Sequence, residues 1–421
     1  MDASTLDPVA SSIIAITGGR VVPIEGEPIE GGTVVLSGGT IESVLEPGAT
    51  PPADCEVIDA TGKWVLPGFL DAHTHLGVYE DGMGWAGTDT NELTGPNQAQ
   101  VRAVDAINPA DIGFRDAIAG GVLAVNVQPG SGNPIGGQTA AIRCWGRTVE
   151  DMLLRAPSGL KSALGENPKR NYGNRNETPA TRLGTASVIR SALVAAQNYL
   201  AGLPATDPEP GGADPAGLAA DGQPAKRDLR LESLGQALRG EIPWRQHCHR
   251  ADDIATALRI SREFGTDLVI DHGTEAFLIA DLIAAEGVPV VIGPLLTARS
   301  KVELRNRSLA APGLLAAAGV TIAITTDHPV VPIHFLVHSA TFAVREGLAP
   351  VEALRSITIT PARILGVSDR LGSLEPGKDA DLVIWSGDPL DVMSRAESAF
   401  VGGHEVYRYD YATRQGVFAS P

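Results

Sequence analysis

Pro67-Gly68-Phe69-Leu70-Asp71-Ala72-His73-Thr74-His75 is the stretch on which the reading of this chain turns. A β-strand sends alternate side chains to one face, so His73 and His75 point the same way and both can reach one metal ion. The run before them, Lys63-Trp64-Val65-Leu66-Pro67-Gly68-Phe69-Leu70, is mostly apolar, as expected of a strand buried on both faces. An isolated His-x-His is more often a pair of solvated imidazoles at a strand end. The remainder of the chain shifts that balance.

Downstream, strand-like segments end near Val127, Cys144, Gly165, His249, His272, Pro294 and Asp327. Alanine-rich helical stretches such as Asp252 to Phe264 and Ala276 to Glu286 alternate with them. Eight strand–helix units predict an α/β fold, a parallel (β/α)8 TIM barrel spanning 67–365. The flanks follow a different pattern. Ile13-Ile14-Ala15-Ile16-Thr17, Thr33-Val34-Val35-Leu36 and Thr40-Ile41-Glu42-Ser43-Val44 are short strands set apart by Gly-Gly pairs and Pro-containing turns. Asp379 to Trp385 and Glu405 to Tyr409 match them at the other end. Residues 12–66 with 366–421 are therefore expected to build a small β-sandwich domain, preceded by a flexible N-terminus at 1–11. Gly202 to Asp228, rich in Pro, Gly, Ala and Asp, predicts a mobile surface insertion at 202–228. Leu76 to Pro109, long, polar and Gly-rich, is expected to shape a pocket on the catalytic face.

Composition narrows the function. The 421 residues are 43% apolar and 20% charged, ordinary for a globular protein. A net charge of −17 opposes binding to nucleic acid or to anionic membranes. No stretch of about 18 apolar residues predicts a membrane span, and Met1 to Ser11 lacks the basic-then-apolar order of a signal peptide. Cys55, Cys144 and Cys248 are scattered and odd in number, so no disulfide framework is implied. These features together read as a cytoplasmic enzyme.

In such a barrel the strand C-terminal ends share one rim. That rim would carry His73 and His75, then Lys161 or Glu166, His247 and His249, His272, and Asp327. With His328, six of the nine histidines fall at strand ends or just beyond, and a rim of imidazoles and carboxylates is metal-binding chemistry. Strand alternation puts both His247 and His249 on one face, and leaves Cys248 in the barrel wall. Lys161 lies in a mostly apolar strand in a chain with only six lysines against 27 arginines. A buried lysine is costly unless neutralised; carboxylation by CO2 would neutralise it and create a metal-bridging group. Glu166, a ready carboxylate, is the rival ligand, and a Lys161–Glu166 ion pair the purely structural alternative. Arg250, Lys169, Arg170 and Tyr172 are candidate substrate contacts because they neighbour these residues. His334 and His338 have helical spacing without an accompanying Glu, so no second zinc site is expected there.

Val65 to His75, Asp271-His272-Gly273, Thr326-Asp327-His328-Pro329 and the tail Gly372-Ser373-Leu374-Glu375-Pro376-Gly377-Lys378-Asp379-Ala380-Asp381-Leu382 resemble the metal-dependent amidohydrolase superfamily. The branch they resemble is that of imidazolonepropionase and related amidohydrolases. Gly159-Leu160-Lys161 is similar to the modified-lysine strand of its binuclear members. The resemblance covers nearly the whole chain and implies a barrel flanked by a β-sandwich from both termini. It implies metal ligation by His73, His75, a strand-5 histidine matching His247, His272 and Asp327, with His249 nearer the substrate. It further implies one or two divalent ions, Zn2+ first and Mn2+ or Fe2+ as alternatives, and carboxylated Lys161 if there are two. The expected reaction is hydrolysis of an amide C–N bond in a cyclic amide or N-acyl small-molecule substrate. Asp327 would move the proton while His249 or His272 assists the oxyanion. A metallopeptidase acting on a dipeptide or N-acyl amino acid is the alternative, and a non-catalytic scaffold is a reading of another class. A deaminase is disfavoured because Arg250-Ala251-Asp252 stands where that chemistry expects a Glu. A homo-oligomer is left open.

Overall fold

The computed structural model describes residues 13–202 and 227–421. The expected flexible N-terminus at 1–11 lies outside the described residues, as does nearly all of the expected insertion at 202–228. The barrel sheet has eight strands: β1 Phe69–Thr74, β2 Val122–Val127, β3 Ile135–Arg143, β4 Leu153–Ala163, β5 Trp244–Cys248, β6 Leu268–His272, β7 Val290–Ile292 and β8 Ile322–Ile324. They pair in chain order. Their residues are buried on both faces over β1, β2, β5 and β6, which explains the continuous apolar runs in the sequence.

The expectation of a wholly parallel sheet needs correction at one strand. β3 runs antiparallel to both β2 and β4, whereas every other adjacent pair in the sheet is parallel. The cause is connection length. A parallel crossover takes a dozen or more residues, and only 128–134 separate β2 from β3 while 144–152 separate β3 from β4. The chain must therefore fold back as hairpins. Cys144 thus lies at the end of the barrel away from the rim, while the Gly-rich turn at 128–134 joins the rim.

Closure between β8 and β1 uses an inserted segment. Ile324 N donates to Ser356 O (3.0 Å) and Leu70 N to Ile357 O (2.8 Å), so residues 356–357 fill the lower seam. Higher up, His75 N donates to His328 O (2.9 Å) and the Thr325 hydroxyl lies 2.7 Å from His73 O. Helices pack outside; Ala251–Phe264 follows β5 with one apolar face inward and stops at Gly265, in the left-handed conformation (φ 70°).

The second sheet is made by both ends of the chain. Its order is Gln415–Phe418, His404–Asp410, Ala396–Val401, Leu382–Trp385, Trp64–Pro67, Ile13–Val21, Ile29–Ser37, Thr40–Leu45, with Glu56–Asp59 also paired to Ile13–Val21. Trp64–Pro67 belongs to this sheet and β1 to the barrel, so the apolar run read as one strand is two, hinged at Gly68. A Cβ there would meet Leu123 at 2.6 Å, which is why the turn takes glycine. Among the described residues no helix is long and apolar enough to cross a membrane.

Candidate metal centre

The rim brings the predicted residues together. His73 Nε2 and His75 Nε2 each lie 3.4 Å from Asp327 Oδ1, and His272 Nδ1 lies 3.9 Å from Asp327 Oδ2. Donor atoms of His73, His272 and Asp327 fall within 4.8 Å of one another, as do those of His247, His249 and His272. The two donor triads share His272.

Outer partners orient the rings. His75 Nδ1 donates to Gln128 O (2.8 Å) and His272 Nδ1 to Gly293 O (2.9 Å), which fixes their tautomers and leaves each Nε2 as an acceptor. His249 Nδ1 pairs with the Thr274 hydroxyl at 2.8 Å, and His73 Nδ1 sits 3.3 Å from Asp271 Oδ1. Among the described residues neither ring nitrogen of His247, nor His249 Nε2, has a protein partner, though all three are buried. Each such orphan costs roughly 1–3 kcal/mol. A neutral imidazole has one lone-pair nitrogen, and a cation that accepts it from each ring removes that part of the cost, so the donor set fits a divalent metal.

Lys161 borders this group. Its Nζ donates to Gln128 Oε1 (3.1 Å), approaches His73 Nε2 (3.3 Å) and pairs with Asp271 Oδ2 (3.4 Å), on a side chain only 1% exposed. Burial pulls its pKa down, toward the neutral amine that attacks CO2. Glu166 is elsewhere: it opens the helix Glu166–Gly173, and its backbone N–H donates to Glu303. It does not line the cavity that holds the histidines, and Lys161 pairs with Asp271 rather than with it.

Electrostatics keep the candidate ligands in metal-binding form. Burial, reinforced by Lys161, holds the His73 imidazole well below its usual pKa; burial, reinforced by His272 and His249, does the same for His247. His272 is lowered to about 4, chiefly by burial. Burial works against the Asp327 carboxylate, but His272, His75 and His73 outweigh it and hold the group below the usual range. Asp271 is likewise held down against its burial by Arg245 (2.6 Å), His73 and Lys161.

The strand ends are held as firmly as the rings. Asp71 accepts hydrogen bonds from the Thr325 hydroxyl (2.5 Å), the Thr326 hydroxyl (2.6 Å) and Thr326 N (2.9 Å), which ties β1 to the segment carrying Asp327. His272 and Asp327 both adopt left-handed backbone conformations (φ 74° and 54°), uncommon for residues with a Cβ. Strain of that kind persists where surroundings over-determine it, typically at functional sites.

A cavity of about 290 Å³ opens over His73, His75, Lys161, His247, His272 and Asp327. Its other walls come from Tyr79, Thr90 and Asn91 in the loop after β1, Gly130 and Ser131 in the β2–β3 turn, and Asn167, Lys301, Pro329 and Val330. The loop after β1 thus lines the pocket, as its composition predicted. The candidate substrate contacts do not reach it. Arg250 pairs with Asp252 at 2.8 Å, and Lys169 and Arg170 are exposed on the helix after β4. Tyr172 is buried, donating to Gly95 O (2.6 Å) and accepting from Asn133 Nδ2 (2.9 Å), so it pins the loop. Lys301 was missed, although the scarcity of lysine that singled out Lys161 marks it equally. His328 points away from the donors, 3.8 Å from Asp81.

A family model described as "Amidohydrolase family" matches residues 231–408. The chain is 30% identical over 390 residues to the amidohydrolase tasK of Hapsidospora irregularis, covering 88% of this chain but only 39% of that protein's length. It is 28% identical over 384 residues to the imidazolonepropionase of Cupriavidus pinatubonensis, covering 83% of this chain and 81% of that one. A solved amidohydrolase from Thermotoga maritima is 43% identical, superposes with a TM-score of 0.86, and is matched over 94% of this chain and 100% of its own. A chain that folds like the Thermotoga enzyme along that enzyme's full length, and aligns with an imidazolonepropionase over most of both, belongs to the amidohydrolase superfamily on its imidazolonepropionase-related branch.

Proposed function

We propose that this protein is a metal-dependent hydrolase that cleaves an amide-type C–N bond in a small cyclic amide or N-acyl compound. The observation that carries the reading is the two donor triads sharing His272 beneath one cavity, beside a buried lysine. His73, His75 and Asp327 would hold one divalent ion. His247 and His272, with His249 beside them, would hold a second, and Lys161 as its carboxylate would serve both. Zn2+ is the preferred metal for so imidazole-rich a set, with Mn2+ and Fe2+ as alternatives. Metal bound there supplies a Lewis acid for the carbonyl and lowers the pKa of water toward neutrality.

The chain's own groups do the rest. Asp327, kept ionised at neutral pH, takes the proton of the attacking water and delivers it to the leaving nitrogen. His249, whose Nδ1 pairs with the Thr274 hydroxyl, does not itself line the cavity, so its part is to complete the donor triad with His247 and His272 rather than to meet the oxyanion. At about 290 Å³ the cavity admits only a small molecule. The cysteines are unpaired, which fits a reducing, cytoplasmic setting.

Elemental analysis of the purified protein, beside a hydrolysis screen of lactams, N-acyl amino acids and dipeptides, tests the reading. About one or two divalent ions per chain and chelator-sensitive turnover are expected. Turnover that survives complete metal removal would refute it.

A further inference from the structure

We infer that Lys301 is a specificity-determining cation that receives a carboxylate on the substrate. The inference rests on the hydrolase reading above and narrows its substrate to amides that carry a free carboxylate.

Lys301 lines the same cavity as His73, His75 and Asp327. Three other lysines have carboxylate partners: Lys63 with Glu397, Lys161 with Asp271 and Lys378 with Glu375. Lys169 is exposed. Lys301 is largely buried, yet no carboxylate lies within 4.0 Å of its Nζ among the described residues. Burial disfavours its charge, and the acids that counter this, Glu303, Asp327 and Glu166, act only from a distance. Asp327 is moreover engaged with the histidines. A sheltered cation facing a cavity without its own counter-ion is a site for an anion.

Its position is fixed in advance. Lys301 caps the short turn Val302–Leu304, and the adjacent Glu303, 1% exposed, accepts from Arg182 (2.7 Å) and from Glu166 N (2.8 Å). That clamp ties the segment after β7 to the helix after β4. The backbone under the lysine is therefore held, and ligand binding has less ordering entropy to overcome.

Charge and size agree. A protein of net charge −17 repels anions at long range, so an anionic substrate needs local positive potential at the mouth. At about 290 Å³ the cavity sits at the small end of ligand pockets. A single N-acyl amino acid, a dipeptide or a carboxylated lactam fits that volume.

The test uses the full-length, zinc-loaded enzyme with matched pairs that differ only in the carboxylate: N-acetylalanine against N-ethylacetamide, and pyroglutamate against pyrrolidinone. Wild type should favour the acid of a hydrolysed pair by at least about tenfold in kcat/KM, the scale of one charge-assisted contact. Lys301→Met should erase that preference through KM, and Lys301→Arg should restore most of it. Calorimetric titration of the same acids into wild type and Lys301→Met should show at least about a tenfold loss of affinity in the variant. If nothing is hydrolysed but carboxylate binding depends on Lys301, the hydrolase reading fails and the assignment stands. If wild type shows no preference for either acid, or Lys301→Met retains it, the assignment is overturned while hydrolysis remains. Failure of both acids to bind wild type overturns it as well.

Discussion

Asp271 has no exposed surface, and it stays ionised because Arg245, Lys161 and His73 close around it. Removing one partner of a buried pair leaves an uncompensated charge, at a cost of about 3–5 kcal/mol. Arg245→Met is expected to lower unfolding free energy by that order in urea titrations and to weaken metal retention. Asp327→Asn keeps an oxygen donor but loses the base. Metal content measured by elemental analysis should stay near normal while kcat falls by about 10²–10⁴-fold; a variant with near-normal turnover would remove Asp327 from proton transfer. Lys161→Arg keeps charge and approximate bulk, yet a guanidinium cannot be carboxylated. It should lose metal and activity together, and wild type reconstituted without bicarbonate should regain less metal than wild type reconstituted with it. These side chains were legible because their chemistry is rare and their spacing follows the strand period. The substrate contacts were not. Neighbours in sequence on a helix diverge by about 100° per residue, so Arg170 faces solvent while Tyr172, two positions on and nearly opposite, turns inward to hold Gly95.

At the level of elements, strand positions could be read from apolar runs, but direction could not. β3 has the same composition whichever way it runs; the information lies in the short spans 128–134 and 144–152, which forbid crossovers. The reversal matters to the site, since it carries Gly130 and Ser131 to the pocket and sets Gln128 O against His75. The 356–357 seam was likewise invisible, because it bonds through backbone atoms of residues outside any strand. Gly68 is the element-scale test. A methyl there would press on Leu123 Cβ and Cγ at 2.8 and 2.6 Å, so Gly68→Ala should cost about 1–3 kcal/mol, read as a lower denaturation midpoint with unchanged slope.

Across the whole molecule, a ligand that binds only the folded chain stabilises it by mass action. At about a thousand times Kd this amounts to roughly 4 kcal/mol. Exhaustive chelation should therefore lower the melting temperature, and zinc should restore it, without change in far-ultraviolet circular dichroism at low temperature. An unchanged Tm would mean that the donor triads are not filled by metal. The union of both termini in one sheet was legible because matching short strands recur at each end, and the pairing of Trp64–Pro67 with Leu382–Trp385 realises it.

That pairing also sets a clock on biosynthesis. The strand leading into His73 and His75 leaves the ribosome roughly 300 residues before the strand that will lie beside it, a delay of about 15–60 s at ordinary elongation rates of about 5–20 residues per second. Throughout this interval one apolar edge, Trp64 to Pro67, waits uncovered next to the first histidines. A nascent chain arrested before Leu382 should consequently be a better chaperone client, and more easily cut by protease near Gly68, than the released product.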